Sequence, residues 1–193
     1  MSEVSINIVK FVKEKQGHKE GNGECWTLAE NALKSAGAKT SRDYGKVTPN
    51  ANYKWGKKIT KREIRPGDVI QFRNYKVKEK TEIKVVVKQE FPGEKPRREE
   101  AVGTPGIMIL SYPHHTALAA SSINQGAIKI YHQNFLFIKK VKIDSLILSN
   151  MKKTPIVKTE KIPFGTKTTT TTTTISVSGK IWFYRPQAKK TKH

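Results

Sequence analysis

The sequence predicts an α+β fold in which N-terminal helices pack on a mostly antiparallel β-sheet. Between Cys25 and Gly37, apolar residues recur at three- and four-residue spacing, which is typical of an amphipathic helix. Residues 4–12 show a similar pattern and predict another amphipathic helix that packs on the core. Later runs of apolar and β-branched residues, separated by turn residues, predict strands. These strands are expected near residues 68–74, 106–111, 115–122, 127–135 and 180–185.

The only cysteine, Cys25, stands at the start of one of these helices. Gly21 and Gly23 precede it and allow a sharp turn into the helix. The unpaired N–H groups and partial positive charge of a helix N-terminus favour a thiolate, so this position suits a nucleophile. The alternative is an inert core thiol, since a lone cysteine often behaves as a small buried hydrophobe.

Candidate partners for the thiol follow in the order histidine, then asparagine. A nucleophilic thiol requires a histidine that is oriented in turn by an amide or a carboxylate. His115 begins one predicted strand and Asn134 ends the next, and a turn at residues 124–126 folds the two into a hairpin. Positions near 115 and 134 therefore lie close together, which predicts a site made of Cys25, His115 and Asn134.

Neighbouring residues remain as alternatives, because the strand register decides which side chains face the thiol. His114 competes with His115, and His132 competes with Asn134. The assignment is therefore open by one or two residues, and His114 is kept as an auxiliary candidate.

Several separated motifs carry a family resemblance: Gly23-Glu24-Cys25-Trp26, Pro66-Gly67-Asp68, His115-Thr116-Ala117, Gln133-Asn134 and the closing stretch at 179–186. Together they resemble the CHAP and NlpC/P60 superfamily of papain-like cysteine hydrolases. Within it, the closest resemblance is to the cysteine-proteinase-fold domain of BBC1/AIM3-type proteins, and it covers residues 1 to about 186.

This resemblance implies a papain-like form of the α+β fold and hydrolysis of peptide or amide bonds, commonly in cell-wall peptides. It implies Cys25 as nucleophile, His115 as general base and acid, and Asn134 as the residue that orients the imidazole. The expected substrate is accordingly a peptide or a peptidoglycan-like molecule, and the expected activity is that of a cysteine peptidase or amidase.

Glu24, two tryptophans and the Pro66-Gly67-Asp68 motif each have a specific interpretation. Glu24 stands where CHAP amidases usually have Gln; its carboxylate is a poor oxyanion donor and would help to hold an imidazolium. Trp26 adjoins the nucleophile and is interpreted as a packing residue. Glu24 and Trp26 join His114 as auxiliary candidates for the site. Trp55 lies in a polar stretch and is expected to line a groove. Pro66-Gly67-Asp68 is interpreted as a structural turn at the entrance of a strand.

The chain is strongly basic. Its 37 Lys and Arg residues against 16 Asp and Glu give a net charge of +21 and a pI near 10. Such a field attracts polyanions, either nucleic acid or an anionic wall polymer. The alternative to a hydrolase is therefore a non-catalytic binding or structural protein that associates with nucleic acid, a ribosome or a virion.

The 193 residues suit a single domain at 1–186, followed by a basic tail at 187–193. The charged segment 76–105 and the segment 150–179, which contains seven consecutive threonines, are predicted insertions. We expect no metal and no cofactor, because neither metal-ligand spacing nor a glycine-rich phosphate loop is present. No signal peptide or membrane span is evident, so a cytoplasmic location is expected, with a virion or release by lysis as alternatives.

Overall fold

The computed structural model describes residues 1–49 and 51–189. Helix α1 spans Glu3–Glu14 and helix α2 spans Cys25–Ser35, and 3-10 helices follow at Ser41–Tyr44 and Lys61–Glu63. The strands are β1 Lys57–Ile59, β2 Val69–Gln89, β3 Arg97–Val102, β4 Gly106–Ala119, β5 Ala127–His132, β6 Lys142–Ile147, β7 Met151–Lys152, β8 Ile156–Ile162 and β9 Gly165–Arg185.

The main path of the nine-stranded sheet has the order β1-β9-β2-β4-β5-β6. β3 pairs with β2, and β7 and β8 pair with β9. The strand pairs β1–β9, β2–β3, β4–β5, β5–β6, β7–β9 and β8–β9 are antiparallel, and the hairpin between β4 and β5 places Leu118 opposite Tyr131. The predicted hairpin is therefore confirmed.

The prediction of an α+β, papain-like arrangement with packed helices is wrong, because the sheet dominates the described residues. The two α-helices of the described residues have only 12 and 11 residues, whereas strands β2 and β9 have 21 residues each. The strands expected at 106–111 and 115–122 form one continuous strand, β4. The charged, Val-rich stretch of β2 and the Thr-rich stretch of β9 continue as strands, because alternating and β-branched residues favour extended backbone.

The described chain divides into two compact units. The first contains residues 1–76, 111–148 and 178 onwards, and includes both helices. The second contains Val77–Leu110 and Ser149–Val177, and most of the two segments predicted as insertions belongs to it. Within this second unit, the Thr168–Thr174 run lies in β9, which pairs with β8. A single domain at 1–186 stays a prediction. The basic tail was predicted at 187–193, and its residues 190–193 lie outside the described part.

The core of the first unit joins both helices to the sheet. Ile8 and Val12 of α1, Leu28 and Leu33 of α2, and Leu118 of β4 are buried together. The helices are thus amphipathic, as their residue spacing predicts.

Trp55 is also part of this core. Its side chain is fully buried, and its indole Nε1 donates to Gln71 Oε1 at 3.0 Å. The expectation that Trp55 lines a groove is wrong, because a buried glutamine satisfies its N–H and lets the ring leave water.

The Pro66-Gly67-Asp68 turn fastens the start of β2, as expected for a structural turn. Gly67 has a φ of 88°, and a Cβ there would lie 2.8 Å from the Ser5 carbonyl oxygen. Asp68 is fully buried, and its carboxylate accepts from the Arg185 side chain at 3.0 and 3.1 Å. This ion pair connects the start of β2 to the end of β9.

Candidate active site

The turn that leads into α2 is held by Gln133, just beyond the end of β5. This buried amide donates to the carbonyls of Glu20 at 3.0 Å and Glu24 at 2.8 Å. It also accepts from the Glu20 N–H at 3.1 Å. Gln133 therefore fixes the backbone from which Cys25 projects. Sequence reasoning did not identify this role, although Gln133 adjoins the predicted Asn134.

Cys25 is the first residue of α2 and lines a cavity of about 360 Å³. Burial raises the pKa of its thiol above the ordinary value, and the nearby Glu24 carboxylate acts in the same direction. Backbone N–H groups of Thr116 and Trp26 act in the opposite direction and favour the thiolate. Because burial is the larger effect, the resting site holds a protonated thiol.

His114 of β4 lines the same cavity. Its Nε2 atom is buried and has no hydrogen-bond partner among the described residues. The ring packs against Tyr53 with 5.0 Å between centroids. Burial lowers the pKa of His114, and interactions with the backbone of Ala51 and Pro49 partly offset this effect. The result is a neutral imidazole, with a ring nitrogen unpaired among the described residues, in a cavity that Cys25 also lines.

The two adjacent histidines of β4 point their rings to opposite faces of the sheet. Side chains alternate along a strand, so His114 shares a face with Thr116 and Leu118. Leu118 packs in the core that includes α2. His115 instead packs its ring against Phe72.

His115 also lines the cavity, but its ring nitrogen is bonded elsewhere. His115 Nε2 lies 3.0 Å from His132 Nδ1, and His132 Nε2 lies 2.8 Å from Asp144 Oδ2. If the carboxylate accepts from His132 Nε2–H, then His132 Nδ1 accepts from His115 Nε2–H. Burial lowers the pKa of His115 to about 3, with smaller effects of His132 and His114.

This arrangement joins His115 to His132, which the sequence offered as an alternative to Asn134. Tyr112 and Phe135 pack against the two histidine rings. The rings of Tyr112 and Phe135 also stack on each other, with 4.5 Å between their centroids. Sequence reasoning missed Asp144, because it lies on β6 in an unremarkable polar alternation.

Asn134 lies beside the turn into α2. It has a φ of 56°, and its Nδ2 donates to Glu24 Oε2 at 2.5 Å. Lys139 Nζ lies 3.3 Å from the other Glu24 oxygen. The hydrogen-bond partner of Asn134 is thus the residue before the cysteine, and its role in orienting a histidine stays a prediction.

Trp26 forms part of the cavity wall and is held from behind by polar contacts. Its Nε1 donates to Ser41 Oγ at 2.9 Å, and Ser41 donates to the buried Glu30 at 3.0 Å. The Arg42 guanidinium lies 5.0 Å from the Trp26 ring centroid. These contacts fix an aromatic wall next to Cys25.

Cys25 at the start of a helix and His114 on a strand line one cavity. Residues 1–156 match the family model described as the AIM3/BBC1 cysteine proteinase-fold domain. The chain therefore belongs to the AIM3/BBC1 cysteine-proteinase-fold family. The match supports this family and not the predicted assignment to CHAP or NlpC/P60.

Neither the curated proteins nor the solved structures contain a significant match to the chain. In the part of the chain that the structure describes, no helix is long and apolar enough to cross a membrane. Those same residues include no cluster of His, Cys, Asp and Glu side chains suited to a metal ion.

Proposed function

We propose that the protein is a thiol hydrolase that cleaves peptide or amide bonds, with Cys25 as nucleophile and His114 as general base. One observation carries the proposal: the unpartnered, buried His114 Nε2 and the Cys25 thiol belong to one cavity. Membership of a cysteine-proteinase-fold family supports the same class of chemistry.

In this proposal His114 takes the role of base that the sequence predicts for His115. A general base needs a free nitrogen lone pair directed to the proton that it removes. His114 Nε2 is unpaired within the described residues, whereas His115 Nε2 is engaged with His132 and only its Nδ1 can offer a lone pair. His115 stays as the alternative base, and the experiment below separates the two.

The reaction proceeds through a thioester. His114 Nε2 accepts the thiol proton of Cys25, and the sulfur forms a bond to the substrate carbonyl carbon. The carbon–nitrogen bond breaks, and the amine leaves with the proton that the imidazolium returns. Water then hydrolyses the thioester, which releases a carboxylic acid and restores the thiol. Backbone N–H groups at the start of α2, including that of Cys25, are the proposed oxyanion donors.

The cavity wall indicates the substrate class. Trp26, Tyr53 and Val47 give it apolar surface, and Arg42 and Glu24 give it charges of both signs. This lining suits a peptide with an apolar side chain and a nearby charged group. Cell-wall peptides combine such groups and are the first substrates to test. A cytoplasmic location stays a prediction, as do a virion location and release by lysis.

The proposal is tested by hydrolysis of a peptide library and of peptidoglycan peptides by wild type, Cys25→Ala, His114→Ala and His115→Ala. Cys25→Ala is expected to abolish turnover, and His114→Ala to reduce kcat by about 10²- to 10⁴-fold. Undiminished turnover by Cys25→Ala would refute the proposal. A large kcat loss in folded His115→Ala, with His114→Ala unaffected, would identify His115 as the general base.

A non-catalytic function is the second candidate, and the raised pKa of the buried Cys25 thiol favours it. In that case the net charge of +21 would hold the protein on nucleic acid, a ribosome, a virion or an anionic wall polymer. Salt-sensitive retention on DNA, RNA or wall polymer, unchanged by Cys25→Ala and without any hydrolysis, is the result expected for this function.

A further inference from the structure

A short loop after β5 exposes three consecutive large apolar residues beside the cysteine turn. Phe137 is 97% exposed, Leu136 66% and Ile138 38%. Lys139 and Lys140 follow directly and are exposed as well. We name residues 136–140 the apolar–basic tip.

The tip is built on an unfavourable turn. The Ile138 N–H donates to the Phe135 carbonyl at 3.1 Å, so Leu136 and Phe137 are the central residues of a β-turn. Both have positive φ, at 50° and 64°. Turns of this kind favour Asn and Gly at the two positions, because larger side chains are strained there. Two bulky apolar residues therefore occupy a strained, exposed place where they contribute nothing to the core.

The base of the tip is firmly anchored. Phe135 stacks on Tyr112 with centroids 4.5 Å apart. On the other side, Lys139 forms an ion pair with Glu24, and a Cβ at Gly23 would lie 2.8 Å from Lys139 Cβ. The tip thus projects from a fixed position next to the turn that carries Cys25.

We propose that the apolar–basic tip inserts into the surface of an anionic lipid membrane. A side chain that is 97% exposed protrudes, and a protruding apolar residue suits the lipid interface better than a flat protein surface. The exposed Lys140, within a chain of net charge +21, complements anionic headgroups. Apolar insertion combined with lysine attraction is the usual basis of interfacial membrane binding. The proposal goes beyond the proposed hydrolase activity and does not depend on it.

The test is flotation with vesicles of phosphatidylcholine alone and of phosphatidylcholine with phosphatidylserine. Wild type is expected to float only with the anionic vesicles. Phe137→Ser is expected to weaken binding about tenfold or more, from the lost burial of the ring. Lys140→Glu is expected to weaken it at least about fivefold. Phe164→Ser and Lys95→Glu are matched controls, since both residues are exposed and Phe164 also has positive φ.

A second variant separates binding from folding. Leu136→Asn with Phe137→Gly gives the turn its preferred residues, so the variant is expected to unfold at a temperature at least as high as wild type and still lose vesicle binding. Equal binding of anionic vesicles by wild type and Phe137→Ser would overturn the proposal in favour of a general charge effect. A concentration-dependent dimer that Phe137→Ser abolishes, without vesicle binding, would overturn it in favour of a second copy.

Discussion

His115 Nε2 lies 3.0 Å from His132 Nδ1, and both rings are buried beneath the aromatic residues that surround them. Burial lowers the pKa of each histidine, and for His115 to about 3. The native state therefore favours neutral rings, whereas an unfolded chain binds protons near the ordinary histidine pKa. The Asp144 carboxylate partly offsets the effect on His132.

The first prediction concerns stability against pH. Stability from these histidines is fully present above the unfolded pKa of about 6.5 and is lost as pH falls towards the folded values. Each histidine that must gain a proton contributes a slope of up to about 1.4 kcal/mol per pH unit. Urea unfolding of wild type between pH 7.5 and 4.5 should show this decline.

His115→Gln is the informative variant for that measurement, because it removes one titrating ring and keeps a polar group. Its stability should depend less steeply on pH, whatever its absolute stability at pH 7.5. His18→Gln is the control, since His18 is exposed. An unchanged slope in His115→Gln would show that His115 does not take up a proton on unfolding.

The second prediction concerns the buried ion pair between Asp68 and Arg185. Asp68 is fully buried, so its removal leaves the Arg185 guanidinium without its carboxylate. Asp68→Ala is expected to reduce the free energy of unfolding by about 3–5 kcal/mol. Chemical denaturation measures this loss.

Glu160→Ala is the matched control for that loss. It breaks an exposed ion pair with Lys158 and should leave the denaturation midpoint unchanged. A wild-type midpoint for Asp68→Ala would contradict the central role that the structure gives to this pair.

Particular residues show where the sequence was informative and where it was not. The spacing of apolar residues predicts α2 and places Cys25 at its first residue, because amphipathic periodicity and glycine turns are local signals. The predicted fold class is wrong because the charged, Val-rich and Thr-rich segments are predicted as insertions between core elements, although β2 and β9 run through them. Their pairing depends on partners distant in the sequence, which local patterns do not report.

The candidate site, like the fold, could be predicted from the sequence only in part. Chain order predicts a cysteine and a histidine, but the different contacts of His114 and His115 depend on side-chain alternation within β4. The link between His132 and Asp144 depends on β6 lying beside β5. The Gln133 contacts to Glu20 and Glu24 likewise join residues more than one hundred positions apart. Such contacts follow from strand register, which the sequence leaves open.

The third prediction concerns Gly67, whose positive φ and close approach to Ser5 require a glycine. In Gly67→Ala the new methyl group would meet Ser5 backbone atoms, and the left-handed conformation would be strained as well. We expect a loss of at least about 1–3 kcal/mol of stability, measured by chemical denaturation.

Gly17→Ala separates the two causes. Gly17 has a similar φ of 83°, but a Cβ there meets nothing within 4 Å. It should therefore show the conformational cost alone and be less destabilised than Gly67→Ala. Equal losses of stability in both variants would show that the contact with Ser5 does not contribute to the destabilisation.

The fourth prediction concerns the ionisation of Cys25. Because burial raises the pKa of the thiol above its ordinary value of 9.0, alkylation by iodoacetamide should be slow at neutral pH and reach its midpoint above pH 9. Glu24→Gln removes the negative charge that also raises this pKa, so its profile should shift to lower pH. Glu14→Gln is the control, because Glu14 is an exposed carboxylate at the end of α1.

The same profile tests whether the cavity histidine acts on the thiol. If His114 accepts the Cys25 proton, as proposed, His114→Ala should alkylate more slowly than wild type near neutral pH, because the thiol loses its base. A midpoint below neutral pH in wild type would mean instead that a thiolate and an imidazolium already coexist in the resting site. Alkylation that is identical in wild type, His114→Ala and His115→Ala would show that neither histidine acts on the thiol. That result would favour the non-catalytic function.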